Sequence, residues 1–218
     1  RRNEAMANNS QSRAARKKQL KAKNRPLWKK IIKAILLLMI AVGIGVGALF
    51  TYYIVTAPDL DPSQLSDPFA SKIYNKDGEF VTDVAGDENR TKVEYEDLPE
   101  VLIDAVIATE DARFFEHSGI DIRRIMGAVV ANIKDGFGSE GASTITQQVV
   151  ENSFLSSDKK LKLKVQEQWL ALQLERKYSK EQILEMYLNK IFYGSGAYGV
   201  AKASETYFGK SDLHDLTL

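Results

Sequence analysis

Cysteine is absent from all 218 residues, which excludes disulfide staples, thiolate metal sites, iron–sulfur clusters and cysteine nucleophiles. Histidine occurs only as His117 and His214, and no spacing of His, Asp and Glu matches a metal cage, so any metal ligand set is unknown from sequence. A Ser/His/Asp triad has no support either. Proline is scarce, and three of its five occurrences fall between Ala57 and Pro68. Charge of either sign is missing from Ala34 to Ala57. That gap divides two unlike parts. Residues 1–33 hold 12 Lys/Arg against the single Glu4, a balance of +11, whereas residues 58–218 hold 18 Lys/Arg and 28 Asp/Glu, a balance of −10. The formal net charge of +1 is their sum with the uncharged stretch between. With 44% apolar and 27% charged residues, the chain is too polar to span a membrane many times and too apolar to be disordered throughout.

The uncharged run ILLLMIAVGIGVGALFTYYIV lies in a stretch of 24 residues. As a helix this stretch spans about 36 Å, enough for a hydrocarbon core of about 30 Å. Eight Lys/Arg from Lys17 to Lys33 precede it, and Trp28, Tyr52 and Tyr53 suit the two interfaces, so the basic arm is expected in the cytoplasm and the rest outside. A cleaved signal peptide is the competing reading, but its apolar core is shorter, roughly 7–15 residues. The arm has no aromatic residue before Trp28, so it reads as a lipid-attracted tail rather than a nucleic-acid binder. The expected organisation is a basic tail over 1–33, a transmembrane helix over 34–57, a linker over 58–71 and a folded domain over 72–218. Arg1 is not an initiator Met, and the chain is expected to be part of something longer.

Within the exterior part, SKIYNKDGEFVTDV gives two short β-like runs around Asp77-Gly78, with Lys92 to Tyr95 as a further strand candidate. Helical patterns follow. Asp97, Pro99 and Glu100 mark the start of one that ends near Glu110; others cover Asp121 to Lys134, Thr144 to Phe154, Lys159 to Tyr178, Lys180 to Asn189 with a Ser179/Gln182 capping pair, and Tyr198 to Tyr207. The fold class expected is mainly α with a small β element, preceded by one transmembrane helix.

Three clusters have unusual composition. In EDARFFEHSG, Glu110 ends an apolar helix beside Phe114 and Phe115, a setting that raises a carboxyl toward the range of a general base; a solvated helix-end acid accounts for it equally well. In GSEGASTITQQ, small residues allow close approach of a ligand, and Ser143, Thr144, Thr146, Gln147 and Gln148 supply neutral donors at a helix start that favours anions. An ordinary N-cap explains Ser143 and Thr144 but not the paired glutamines. In KKLKLKVQEQW, Lys160, Lys164 and Glu167 share a helix face, fit to neutralise a diphosphate or simply to pair charge at the surface. Acid/base work near a bound phosphate, behind a membrane anchor, points to a lipid-linked phosphate substrate.

Taken in order, EDARFFEHSG, GASTITQQ, LKVQE and EQILEMYLNKIFYGSGAYG resemble the glycosyltransferase family 51 domain of class A penicillin-binding proteins, over roughly Lys72 to the chain end. The resemblance implies a lysozyme-like, mainly α fold, cut short here before the family's final helices, at the outer face of the bacterial plasma membrane. It implies polymerisation of lipid II into β-1,4-linked glycan with inversion and release of undecaprenyl diphosphate, within a bifunctional protein. Glu110 then matches the base that takes the acceptor's 4-hydroxyl proton, and Glu167 the second essential glutamate. Asp111, Phe114, His117, Ser143, Thr144, Thr146, Gln147, Gln148 and Lys164 are expected to bind substrate. Mg²⁺ or Mn²⁺ dependence is implied, with lipid II, the growing strand, the membrane, and cell-wall elongation or division proteins as partners; nucleic acid is not.

Two positions depart from the family pattern: Leu163 stands where Arg is usual, and Glu151 where Lys commonly follows TQQVV. Both remove positive charge near the expected diphosphate, which predicts weaker donor binding unless Lys159, Lys160 and Lys162 compensate. Two rival readings use the same residues. A lysozyme-like hydrolase would take water as acceptor, and a non-catalytic membrane-anchored scaffold would carry a degraded donor site.

Overall fold

The computed structural model describes residues 27–65, 71–77, 80–84, 91–136, 141–156 and 160–216. The lipid attraction of the basic arm before Leu27, the turn residue Gly78, the loop residues Gly138 to Glu140 and the compensating Lys159 lie outside them. Contacts divide the chain into two units, Arg1–Tyr52 and Tyr53–Leu218.

The first unit is dominated by helix α1, which runs Leu27–Val55 and so takes Lys29, Lys30 and Lys33 into its opening turns. Its 29 residues span about 43 Å. No residue along it is buried, and its most apolar window has a mean hydropathy of 2.5, so it is long and apolar enough to cross a bilayer. Thr51 donates its hydroxyl back to the Gly47 carbonyl at 2.9 Å, which satisfies that polar group within the helix, as an apolar surrounding requires.

In the second unit the proline-bearing segment is less of a free linker than its composition implies. Asp61 accepts from the Ser63 amide at 2.9 Å to cap a 3-10 turn over Pro62–Gln64, and Leu60 and Leu65 on either side enter the core. Lys190 fixes the turn by donating to the Gln64 carbonyl at 3.0 Å. Two spaced leucines hold the segment down. The β-hairpin follows as expected: β1 (Ser71–Tyr74) pairs antiparallel with β2 (Phe80–Val84), Ser71 opposite Val84 and Ile73 opposite Thr82. Asn75 accepts from the Asp77 amide at 2.9 Å in the connecting turn.

The expected third strand over Lys92 to Tyr95 does not form. An Asn189 side chain takes the place of a neighbouring strand, accepting from the Val93 amide at 2.8 Å and donating to the Val93 carbonyl at 2.7 Å. Glu185 accepts from the Tyr95 amide at 3.0 Å. With those backbone groups satisfied by a helix face, the chain turns into a 3-10 segment at Tyr95–Asp97. Asp97 therefore closes that turn instead of starting a helix, and α2 begins at Glu100 after Pro99, without a side-chain cap.

The remaining helices match the sequence pattern within a few residues. They are α2 (Glu100–Glu110), α3 (Ile122–Asp135), α4 (Ile145–Phe154), α5 (Leu161–Lys177), α6 (Lys180–Lys190) and α7 (Val200–Phe208). Capping boxes start α4 (Thr144 with Gln147) and α6 (Ser179 with Gln182), and Gly209 ends α7 in the left-handed conformation. The class is mainly α with a small β element and a preceding apolar helix.

The core gathers around α4, which packs on α5 and α6. Ile145, Val149 and Val150 meet Leu170, Leu174, Ile183, Leu184 and Leu188, all of them essentially without solvent exposure. In contrast, α3 buries only Ala128, and its periodic apolar residues Ile122, Met126, Val129, Val130 and Ile133 are exposed.

Candidate functional site

The end of α2 and the start of α4 are joined by one buried carboxylate. Asp111, 1% exposed, accepts through Oδ2 from His117 Nε2 at 2.9 Å and from the Ile145 amide at 3.0 Å. The second bond satisfies a donor at a helix N-terminus and places negative charge where the helix dipole favours it. His117 Nδ1 accepts from the Gly119 amide at 3.1 Å, which leaves Nε2 as the protonated nitrogen facing Asp111. Thr144 donates to the Gly119 carbonyl at 2.8 Å. Gly119 has φ +91°, and a Cβ there would stand 2.8 Å from the Ala171 carbonyl oxygen, so glycine alone fits. These bonds fix where Glu110, the residue before Asp111, presents its side chain.

Glu110 is half-buried, and its Oε2 accepts from Gln148 Nε2 at 3.1 Å. Its backbone carbonyl accepts from Arg124 Nη1, and the same guanidinium donates through Nε to the Gly141 carbonyl at 3.3 Å. Arg124 thus ties the end of α2 to the loop that leads into α4. Two tyrosines feel the Glu110 charge. Tyr187 on α6 is pushed above the ordinary phenol range, mainly by burial and then by Glu110; Tyr193, just after α6, is pushed up to about 12 by the same two causes.

One residue before Gln148, Gln147 donates from Nε2 to Glu167 Oε1 at 2.9 Å. Glu167 is buried on α5, and its Oε1 also accepts from Lys164 Nζ at 2.6 Å. Burial raises the Glu167 carboxyl above the ordinary glutamate range; the Lys164 hydrogen bond and charge oppose that, while the charge of Glu151 adds to it. Lys164 reaches back to donate to Ser143 Oγ at 2.9 Å. Consecutive glutamines of α4 therefore hold one glutamate each.

The structure sorts the expected substrate contacts. Glu110, Ser143, Gln148 and Lys164 keep surface for a ligand. Asp111, Thr144 and Gln147 are buried and hold the others in place, as does His117, whose side chain is 8% exposed. Phe114 and Thr146 turn elsewhere. Phe114 is fully buried, edge-on to Phe115, with the Lys180 ammonium 4.3 Å from its ring centroid. Thr146 donates to Glu175 Oε1 at 2.6 Å, which also pairs with Lys180 at 2.6 Å. An apolar cleft made by Phe114 and Phe115 is thus replaced at Glu110 by a polar setting of Gln148, Tyr187 and Tyr193.

Sequence reasoning did not single out Arg124, Tyr187 or Tyr193. The two tyrosines lie within the EQILEMYLNKIFYGSGAYG motif, and Arg124 is three residues past the α3 cap Asp121, so motif position was the available signal. Among the described residues no three His, Cys, Asp or Glu converge as a metal cage.

The sequence profile of a family described as Transglycosylase matches residues 77–218. Penicillin-binding protein 1A/1B of Bacillus subtilis strain 168 is 52% identical over 210 residues, covering 96% of this chain and 23% of that protein. Penicillin-binding protein 1A of Streptococcus oralis is 43% identical over 175 residues, covering 79% of this chain and 27% of the relative. Its namesake from Vibrio cholerae is 42% identical over 194 residues, covering 87% and 23%. The chain spans about a quarter of the length of the curated relatives it matches.

Proposed function

The chain belongs to the transglycosylase family, and from that premise we propose that it is the glycosyltransferase part of a penicillin-binding protein, joining lipid II into β-1,4-linked peptidoglycan strands. The observation that carries the reading is the pair of bonds from Gln147 to Glu167 and from Gln148 to Glu110, which sets two carboxylates of different environment on either side of one helix start. Pairs of acids with unequal surroundings divide the chemical work between them.

In this reading Glu110 is the general base. The acceptor's 4-hydroxyl oxygen attacks the anomeric carbon of the lipid-linked donor, its proton passes to Glu110, and the bond to the diphosphate oxygen breaks with inversion. Gln148 occupies Oε2 and leaves the other oxygen for the incoming hydroxyl. Lys164 offers its ammonium to the diphosphate, anchored by Ser143 and Glu167, and Glu167 holds that cation in place. Among the described residues no three His, Cys, Asp or Glu form a metal cage; a divalent cation such as Mg²⁺ or Mn²⁺ would bind with the substrate's diphosphate, beside Ser143 and Lys164, and help neutralise the leaving group. Helix α1 anchors the chain, with its basic arm in the cytoplasm and the catalytic unit on the outer face. Elongation or division proteins are the expected partners.

Labelled lipid II tests this directly, with finished glycan as the comparison substrate. Polymer is expected from lipid II, and Glu110→Gln lowers turnover by about 10²–10⁴ while substrate binding persists. Release of fragments from finished glycan without any polymer would overturn the reading in favour of a hydrolase.

A further inference from the structure

We propose that Tyr187 is a positioning residue for the general base: its hydroxyl fixes the orientation of the Gln148 amide so that the N–H end faces Glu110. The inference rests on Glu110 being the base. Gln148 is a two-ended side chain, and the two ends fit opposite partners. Its Oε1 accepts from the Tyr187 hydroxyl at 3.4 Å, and its Nε2 donates to Glu110 Oε2 at 3.1 Å. Tyr187 is 2% exposed and belongs to the core side of α6, so its hydroxyl is held by packing before any substrate arrives.

The consequence lies in how the amide answers the charge on Glu110. An ionised carboxylate accepts only, so the observed orientation gives it a charge-assisted donor. Rotating the amide would set its carbonyl oxygen against the carboxylate, two acceptors face to face, and would turn the Tyr187 hydroxyl from donor to acceptor, the weaker of the two roles of a phenol. The tyrosine therefore biases the amide toward the orientation that stabilises the ionised, proton-accepting form. Burial and the Glu110 charge both keep the phenol protonated, so it remains a donor across the working range. Once Glu110 has taken the proton, its carboxyl becomes a donor and the amide carbonyl becomes its natural partner. The Tyr187 oxygen can then accept from Nε2. Both protonation states are satisfiable, but only the ionised one uses the charge.

Other groups face Glu110 and stay unchanged when Tyr187 is altered. Tyr193 approaches from the segment after α6, Arg124 from α3 binds the Glu110 backbone carbonyl, and Asp111 follows it in the chain. A change in pH dependence on removing the Tyr187 hydroxyl that vanishes in a Gln148→Leu background therefore reports the tyrosine–glutamine contact, whereas a direct effect of the phenol on Glu110 would persist there.

The test is Tyr187→Phe in the membrane-anchored chain, assayed on lipid II across pH, with Gln148→Leu and the double variant alongside. Tyr187→Phe is expected to lower kcat about five- to tenfold with KM nearly unchanged, and to move the acidic limb of the rate profile upward by about half a pH unit. In the Gln148→Leu background the same substitution should add nothing, because the tyrosine acts through that amide. An unmoved acidic limb, or equal losses in both backgrounds, would overturn the proposal. Glu110→Gln separates the two layers: if it retains turnover, the base assignment itself fails, whatever Tyr187 does. Gln148→Leu with Tyr187 intact serves as the second probe should the phenylalanine variant fold poorly; it must show the same upward shift, and a wild-type limb there also defeats the proposal.

Discussion

Lys164 and Glu167, one turn apart on α5, form an unequal ion pair: the ammonium stands 2.6 Å from Oε1, yet the lysine side chain is 45% exposed and the glutamate side chain only 5%. The glutamate has given up most of its water, so its charge depends on Lys164 and Gln147. The lysine keeps enough surface to turn toward a ligand. The arrangement suits the role proposed for Lys164, a cation that binds a diphosphate and then releases it.

Removing the lysine exposes the asymmetry through pH. The folded carboxyl of Glu167 already lies above its unfolded range, so the folded state binds the proton more tightly; the stability this contributes is full at low pH and is lost as pH rises through the folded value. Lys164→Met raises that value further and extends the window of loss toward neutrality. The variant should match the parent in urea unfolding near pH 4 and fall below it by about 1 kcal/mol at pH 7, a modest figure because half of the lysine is solvated. Equal losses at both pH values would show that Lys164 matters through packing alone.

How far the site was legible from sequence depends on the kind of residue. Capping residues such as Thr144 and Ser179 were visible because their chemistry is local, within three positions of the amide they bind. Glu110 and Glu167 stood out in clusters of unusual composition, and the roles proposed for them came from the order of four motifs. The polar character of the Glu110 surroundings was not visible, since Gln148 and Tyr187 reach it from 38 positions along the chain and from a different helix. Neighbours in sequence, Phe114 and Phe115, suggested an apolar cleft that the fold turned into core and surface. The missing third strand has the same origin: nothing near Val93 announces that Asn189 will pair its backbone.

Adjacent acids in the first motif should behave in opposite ways. Asp111→Ala removes the acceptor of both the Ile145 amide and His117, leaving two buried donors unpaired. The cost is about 2–4 kcal/mol. For a unit of this size that corresponds to a fall in Tm of roughly 5–15 °C, with activity lost through the fold. Glu110→Gln leaves the Asp111 bonds intact, so thermal unfolding should barely move while turnover collapses. Melting curves of the two variants in parallel decide this, and a stable Asp111→Ala protein would show that the joint between α2 and α4 is held elsewhere.

Glu151 and Leu163 make the sharpest statement about this particular chain. Glu151 stands on α4 one turn beyond Gln148, and its charge adds to the factors that push Glu167 toward protonation. Replacing it with lysine removes a repulsion and adds a cation on the same side; Leu163→Arg adds another next to Lys164. Each charge change is worth about 1 kcal/mol at a surface-like dielectric, or roughly fivefold in affinity. The double variant should lower KM for lipid II by about an order of magnitude or more at low salt, with the gain shrinking as salt screens it. The same substitutions bring Glu167 back toward the ordinary glutamate range, so the low-pH limit of its ion pair with Lys164 should move downward. A large rise in polymerisation would identify a donor site weakened by two substitutions, whereas unchanged KM at every salt concentration would mean that the diphosphate is not seated on this face of α4 and α5.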